Sequence, residues 1–189
     1  MRVIAGSARR LRLITLEGLE TRPTGDKIKE TLFNILQFGL PDTEFLDLFS
    51  GSGAIAIEAL SRGAARAVLV ENNRRAAECI RTNLETTHFT DKAELMLCDV
   101  MTAIRRLEDQ HRVFDFIYMD PPFRKDLERA VLERLAGSPI LTPDTLIIVE
   151  AARETEFDYI ADLGYRLMKE KVYKTSRHEF LAFGSGGQE

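Results

Sequence analysis

Asp120-Pro121-Pro122-Phe123 puts a carboxylate, a rigid backbone and an aromatic face into four consecutive residues, where the apolar run Val113 to Met119 ends. The two prolines hold φ near about −65° and carry no N–H, so the turn is stiff and its carbonyls stay available to a ligand. A planar base with an exocyclic amine matches that set. Its amine donates to the Asp120 carboxylate and the Pro121 carbonyl while the Phe123 ring covers its face. The competing reading is a strand-ending turn in which Asp and Pro serve local geometry alone. The residues upstream decide between the two.

Phe45 to Gly53 reads as a first strand running into a glycine loop, with Ala54 to Leu60 opening a helix. Glycines there let the backbone approach a ligand that a side chain would strike. Glu71 ends the next strand-like run, where a carboxylate can accept from both hydroxyls of a ribose. Asp99 closes the third, placed to accept from an adenine amine. Together these positions describe a pocket for an adenosine-containing cofactor. The spacing Gly51-x-Gly53-x-x-Ala56 also satisfies the dinucleotide fingerprint, which keeps NAD in play. Against NAD, Asp47 stands at the strand-to-loop transition, where a carboxylate repels a pyrophosphate but receives the amino group of a methionine-like moiety. The chain has no G-x-x-x-x-G-K-[ST] phosphate loop. S-adenosylmethionine, with ribose, adenine and a zwitterionic tail but no phosphate, fits every position.

The elements that must hold these residues alternate. Apolar runs predict strands at 44–49, 66–71, 93–98, 113–119 and 144–150, and amphipathic spacing predicts helices at 53–62, 73–87, 100–108 and 126–136. This is the pattern of an α/β, doubly wound, Rossmann-like sheet, mostly parallel. Tyr165 to Tyr173 and Glu179 to Phe183 predict a C-terminal antiparallel hairpin, which brings the expected sheet to seven strands. Val3 to Ala5 and Leu11 to Leu16 predict a short β-hairpin arm outside the main domain. Thr24 is placed to cap a helix carrying Ile28, Leu32, Ile35 and Leu36. The expected division is a basic arm over 1–22, a catalytic domain over 23–184 and a flexible tail over 185–189.

With 189 residues the chain is long enough for one substantial core. It has no apolar run of membrane-spanning length and no secretory leader, so a soluble, cytoplasmic protein is expected. Cys79 and Cys98 form no metal-spaced pair, His88, His111 and His178 are scattered, and no metal site is expected. The net charge of −4 argues against bulk electrostatic coating of nucleic acid. Its distribution is uneven. Residues 1–29 hold seven basic side chains against three acidic ones, and Arg166, Lys169, Lys171, Lys174 and Arg177 form a second basic cluster opposed only by Glu170.

The chain resembles the class I S-adenosylmethionine-dependent methyltransferases, and Asp120 to Phe123 resembles their [DNS]-P-P-[YFW] signature for methylating exocyclic or amide nitrogens. More narrowly it resembles the bacterial RsmD-type family, which methylates the N2 amine of a guanine in 16S ribosomal RNA. The resemblance rests on Arg22-Pro23-Thr24, Lys29 to Asn34, Asp47 to Gly53, Glu58 to Gly63, and Asp120 to Phe123. It implies that Asp47, Phe49, Gly51 and Gly53 line the methionine side, that Glu71 holds the ribose, and that Asn72, Asp99 and Val100 flank the adenine. It implies catalytic roles for Asp120, Pro121, Pro122 and Phe123, and contacts to RNA from Arg9, Arg10, Arg12, Arg22 and Thr24. Where the family tends to an Arg-Gly-Arg-Lys-Leu-like run, this chain has Arg9-Arg10-Leu11-Arg12-Leu13. The implied partner is 16S rRNA, within the small subunit or an assembly intermediate, met by a monomer with no membrane attachment. Methylation of DNA adenine or protein glutamine, an NAD-dependent oxidoreductase and a non-catalytic RNA-binding module are the alternatives.

Overall fold

The computed structural model describes residues 1–16, 25–122 and 126–184. In chain order the elements are α1 (Asp26–Leu36), β1 (Glu44–Asp47), α2 (Ala54–Ser61), β2 (Arg66–Glu71), α3 (Arg74–Thr87), β3 (Ala93–Leu97), α4 (Val100–Asp109), β4 (Phe116–Met119), α5 (Leu127–Leu135), β5 (Leu146–Ala152), β6 (Tyr165–Val172) and β7 (Ser176–Phe183). The strands form one seven-stranded sheet in the order β3-β2-β1-β4-β5-β7-β6. The expected mostly parallel α/β sheet with an antiparallel C-terminal hairpin is therefore what the chain forms. Predicted and observed elements differ by a few residues at their ends, as fraying ends do. The chain falls into two compact units, Met1 to Asp99 and Val100 onward.

In the first unit, β2 pairs in parallel with both β1 and β3. Phe45, Leu46, Val68 and Leu69 are buried, as continuous apolar strands covered on both faces must be. Helix α1 buries Lys29, Leu32, Phe33 and Leu36, one stripe at helical spacing. Its N-cap is Gly25, which makes no side-chain cap bond; Thr24, the expected cap, lies outside the described residues. Helix α3 is capped by Asn73, whose side chain accepts from the amides of Arg75 and Ala76, and it ends at His88 in the left-handed region.

All eight residues of α2 are buried, including Glu58 and Ser61, and these two polar groups are explained by the N-terminal arm. Glu58 accepts from the backbone amides of Ile4 (2.8 Å) and Ala5 (3.0 Å), and from Arg62 Nε (2.8 Å). Ser61 Oγ donates to the Ala5 carbonyl and accepts from the Ala8 amide. The buried Lys29 Nζ lies 3.5 Å from Glu58 and donates to the Arg2 carbonyl at 2.7 Å. Burial pulls the Lys29 ammonium below its usual range, and the Glu58 charge opposes that pull. Gly6, at φ +82°, presses so closely on α2 that a Cβ there would stand 1.7 Å from the Ser61 carbonyl oxygen. The described part of the arm, closed by an Arg2 to Arg12 bridge, is thus strapped along α2 by its own backbone.

In the second unit, β4 pairs in parallel with β5, while β7 pairs antiparallel with β5 and β6. Helices α4 and α5 are joined by an ion pair between Glu108 and Arg134, and Ser138 Oγ also donates to Glu108 at 2.6 Å.

Glu58→Ala leaves Lys29 buried without the carboxylate that pairs with it, and the arm amides of Ile4 and Ala5 without acceptors. A loss of about 3–5 kcal/mol in denaturant melts is expected. Accelerated trypsin cleavage at Arg9, Arg10 and Arg12 is expected alongside it.

Candidate functional site

Strand β1 ends on Asp47, and the chain then turns through Phe49, Ser50, Gly51 and Ser52 to Gly53, the N-cap of α2. The loop is tied on several sides. The Ser50 amide donates to the Val70 carbonyl (2.9 Å), the Gly53 amide to the Ser50 carbonyl (2.7 Å), and Ser50 Oγ to the Asp47 carbonyl (3.0 Å). The two glycines are needed for different reasons. Both have positive φ, +54° at Gly51 and +78° at Gly53. A Cβ on Gly53 would meet Leu69 Cδ2 at 3.1 Å, whereas one on Gly51 would meet nothing within 4 Å. Gly53 therefore serves packing of the loop on β2, and Gly51 borders open space.

Glu71, the last residue of β2, accepts from the Gly51 amide at 2.9 Å through one oxygen and from the Asn73 amide at 2.8 Å through the other. Each carboxylate oxygen keeps further lone-pair capacity, enough to accept from a pair of neighbouring hydroxyls. Asn72 lies exposed between Glu71 and the α3 cap. Asp99 is exposed two residues past β3, directly before Val100 opens α4.

Asp47 is the outlier. Its side chain is buried and neither carboxylate oxygen has a hydrogen-bond partner. Burial pushes its pKa up to about 7, and the nearby Glu71 charge pushes the same way. The amides of Phe49 and Ala56 and the Ser50 hydroxyl lower it in part, without reaching full hydrogen-bond geometry. A buried acceptor left in that state costs free energy until a donor arrives, and a cationic donor recovers most. The ammonium of a methionine-type tail is such a donor. The residues present thus fit S-adenosylmethionine: Asp47 for the ammonium, Gly51 for room, Glu71 for the ribose.

In the second unit, Asp120 directly follows β4 and is half-buried; Pro121 is buried and Pro122 exposed. Phe123 lies outside the described residues, as do Arg22 and Thr24. Behind Asp120 is a group that sequence reasoning missed. Tyr118 OH donates to Glu150 Oε2 at 2.6 Å, His178 Nε2 lies 3.0 Å from the same oxygen, and Tyr173 OH lies 3.3 Å from His178 Nδ1. Tyr118, Glu150 and His178 are buried. His178 is accordingly a packed histidine with a defined role, holding three strands in place beside the Asp-Pro-Pro turn. The overlooked signal is Glu150, an acid at the end of the apolar run Leu146 to Val149, the same placement that marks Asp47 and Glu71.

The arm presents Arg9, Arg10 and Arg12 to solvent, with Arg10 at φ +73°. Asn83 of α3 links the arm to the glycine loop. Its Oδ1 accepts from the Ile14 amide (2.8 Å), while its Nδ2 donates to the carbonyls of Ile14 (2.9 Å) and Ser52 (2.8 Å). Among the described residues no cluster of His, Cys, Asp or Glu could hold a metal ion, and no helix is long and apolar enough to cross a membrane.

A solved Escherichia coli structure, the candidate methyltransferase yhhF, superposes with a TM-score of 0.85 at 32% identity, over 98% of this chain and 99% of that one. With that fold and an unpartnered acid at the glycine loop, the chain is a Rossmann-like methyltransferase that uses S-adenosylmethionine. It belongs to the family described as conserved hypothetical protein 95, whose sequence model matches residues 1–182. Among its relatives is the ribosomal RNA small subunit methyltransferase D of Haemophilus influenzae, 35% identical over 91% of this chain and 88% of that protein. The Escherichia coli protein of the same name is 33% identical over 91% and 84%. These relatives remove the dehydrogenase alternative.

The raised Asp47 pKa gives a pH dependence of definite sign. A folded pKa near 7 against an ordinary value of 3.8 means that the unfolded chain loses this proton first. This group's contribution to the stability of the ligand-free protein is therefore full below about pH 4, falls as pH rises towards 7, and is flat above. Binding an ammonium needs the ionised form, so affinity for S-adenosylhomocysteine should run the opposite way. It should weaken about tenfold between pH 8 and pH 6, and Asp47→Asn should flatten both profiles. Calorimetric titration across that range checks the binding limb.

Proposed function

We propose that the protein transfers a methyl group from S-adenosylmethionine to the N2 amine of a guanine in 16S ribosomal RNA. The observation that carries the methyl-donor half is the buried, unpartnered Asp47 carboxylate at the glycine loop. The acceptor half is supported by Asp120 and Pro121 at the end of β4, and by kinship with small-subunit rRNA methyltransferases.

When bound, the cofactor supplies an activated methyl on a sulfonium, so the protein's task is to position a nitrogen and stabilise charge on it. The N2 lone pair of guanine is delocalised into the ring and weakly nucleophilic. The Asp120 carboxylate and the Pro121 carbonyl accept from the amine and favour a pyramidal nitrogen bearing positive charge. The buried set Tyr118, Glu150 and His178 fixes the strand end from which Asp120 projects. A fixed acceptor does not have to reorganise as charge develops. Because the target amine lies in a pair or stack, the base is flipped out, and Phe123 supplies the replacement stacking face. Asn72, Asp99 and Val100 flank the adenine, and Phe49 borders the methionine tail. Arg9, Arg10 and Arg12, held on a strapped arm, with Arg22 and Thr24, contact RNA phosphates, which positions the substrate without reading its sequence. The protein works in the cytoplasm as a monomer, on the small subunit or an assembly intermediate.

Labelled methyl transfer to naked 16S RNA, a partly assembled subunit and a complete small subunit, followed by mapping of the modified base, tests this reading. N2-methylguanine at one position is expected; a methylated adenine, glutamine or DNA base would replace it with one of the alternatives. Asp120→Ala should lower turnover by a factor of at least about 100 while S-adenosylhomocysteine affinity stays nearly unchanged. Turnover close to the parent's would remove Asp120 from the chemistry.

A further inference from the structure

The basic cluster near the C-terminus has an ordering that its sequence does not show. In β6 the pairing with β7 slips by one residue. Arg166 and Leu167 lie opposite Ala182 and Leu181, but Lys169, Glu170 and Lys171 lie opposite Phe180, Glu179 and His178, with the irregularity between Leu167 and Lys169. Residues directly opposite on paired strands share a face of the sheet, and a one-residue slip exchanges the faces of everything beyond it. Without the bulge, Lys169 and Lys171 would lie on the face of Arg177 and Glu179, and Glu170 on the opposite one. With it, Arg166, Lys169 and Lys171 all fall on the face of His178 and Phe180. Glu170, the one acid in the run, is sent to the other face, where Arg177 holds it in an ion pair. Lys174 is exposed in the β6–β7 turn. All four cations are exposed, and none pairs with a carboxylate among the described residues.

The same face carries a continuous row across the sheet. Lys171 is opposite His178, His178 is opposite Glu150, and Glu150 accepts from Tyr118, two residues before Asp120. At the usual spacing of neighbouring strands, roughly 4.8 Å, three steps put Lys171 on the order of 15 Å from the end of β4. That is the span of a few nucleotides. We infer that the β6 face formed by Arg166, Lys169 and Lys171, extended by Lys174, holds the phosphate backbone of the RNA strand that delivers its base to Asp120. The occupant is an RNA strand because three unpaired cations on one face, with the intervening acid turned away, complement a regular polyanion. This rests on the reading of the substrate as RNA.

The test uses the full chain with Arg166→Gln, Lys169→Gln and Lys171→Gln combined, a second variant with Lys169→Glu and Lys171→Glu, and a control with Arg74→Gln, Arg75→Gln and Arg81→Gln on α3. Affinity for 16S RNA is measured across a salt series, with S-adenosylhomocysteine affinity and methyl-transfer KM and kcat. The first variant should lose about two units of the slope of log affinity against log salt, and about tenfold or more in affinity near 0.1 M salt. Its KM should rise with kcat held, and cofactor binding should not change. The Glu pair should bind RNA more weakly still, and the α3 control should match the parent. If the cations serve only to keep an edge strand from pairing with other chains, the Glu pair stays monomeric with parental RNA affinity and salt slope, which overturns the inference. Failure of the parent protein to bind or methylate 16S RNA would instead overturn the reading of function on which this one rests.

Discussion

Parallel strands buried on both faces leave polar chemistry only one place to go. In β1 and β2 every residue between the ends is apolar and covered, so a charged side chain is tolerated at the strand ends and nowhere between them. Asp47 and Glu71 stand at those positions, and Glu150 stands near the end of β5, where Tyr118 and His178 can satisfy it. The three acids meet the same constraint in different ways. Glu71 is satisfied by two backbone amides of the protein, Glu150 by two side chains, and Asp47 by neither. On the proposed function, the difference follows from what each does. A carboxylate that holds a loop has to be occupied already, and one that receives a cationic ligand has to be left wanting.

Loop geometry and strap geometry reinforce each other in the first unit. Glu58 and Ser61 occupy the buried surface of α2, and the helix begins at Gly53, the last residue of the glycine loop. The arm that closes over them also reaches Asn83, whose amide group is shared between Ile14 and the Ser52 carbonyl. The backbone carrying the exposed arginines is therefore connected by hydrogen bonds to the loop that borders Asp47. A free N-terminal tail loses conformational entropy when a partner orders it. An arm whose backbone groups are already bonded to α2 and α3 has lost most of that entropy on folding.

Much of this was legible in the sequence because the relevant signals are local. The strand-loop-helix at Asp47 to Leu60, the acids ending β1 and β2 and the alternation of strands with helices depend on neighbours within a few residues, and these formed as read, whereas Asp99 lies two residues past the end of β3. The arm was different. Its apolar alternation gave a hairpin, but the contacts that hold it come from Glu58, Ser61 and Asn83, some fifty to seventy residues away, and no local pattern announces them. His178 looked isolated for the same reason: its partners Tyr118, Glu150 and Tyr173 come from β4, β5 and the β6–β7 turn. Glu58 entered the sequence reading only as the first residue of the Glu58 to Gly63 motif, and its purpose shows where the arm folds over it.

The β6 bulge shows a deeper limit. Read with strict alternation, Arg166-Leu167-Met168-Lys169-Glu170-Lys171 puts Arg166, Met168 and Glu170 on one face and Leu167, Lys169 and Lys171 on the other, which mixes the charges. Pairing with β7 imposes a different phase, because Tyr165 must meet Phe183 at one end while Val172 meets Arg177 at the other, and the two strands differ in length by one residue between those points. Tyr165 is held at its end by a buried hydrogen bond to the Leu132 carbonyl and by edge contact with Phe183. Arg177 is held at the other by Glu170, Glu179 and the carbonyl of Thr155. With both ends fixed, the surplus residue has to be absorbed between them, and its position decides which side chains share a face. Sorting of the cations is therefore a consequence of anchors at the ends of the strand, and a sequence read one residue at a time does not contain it.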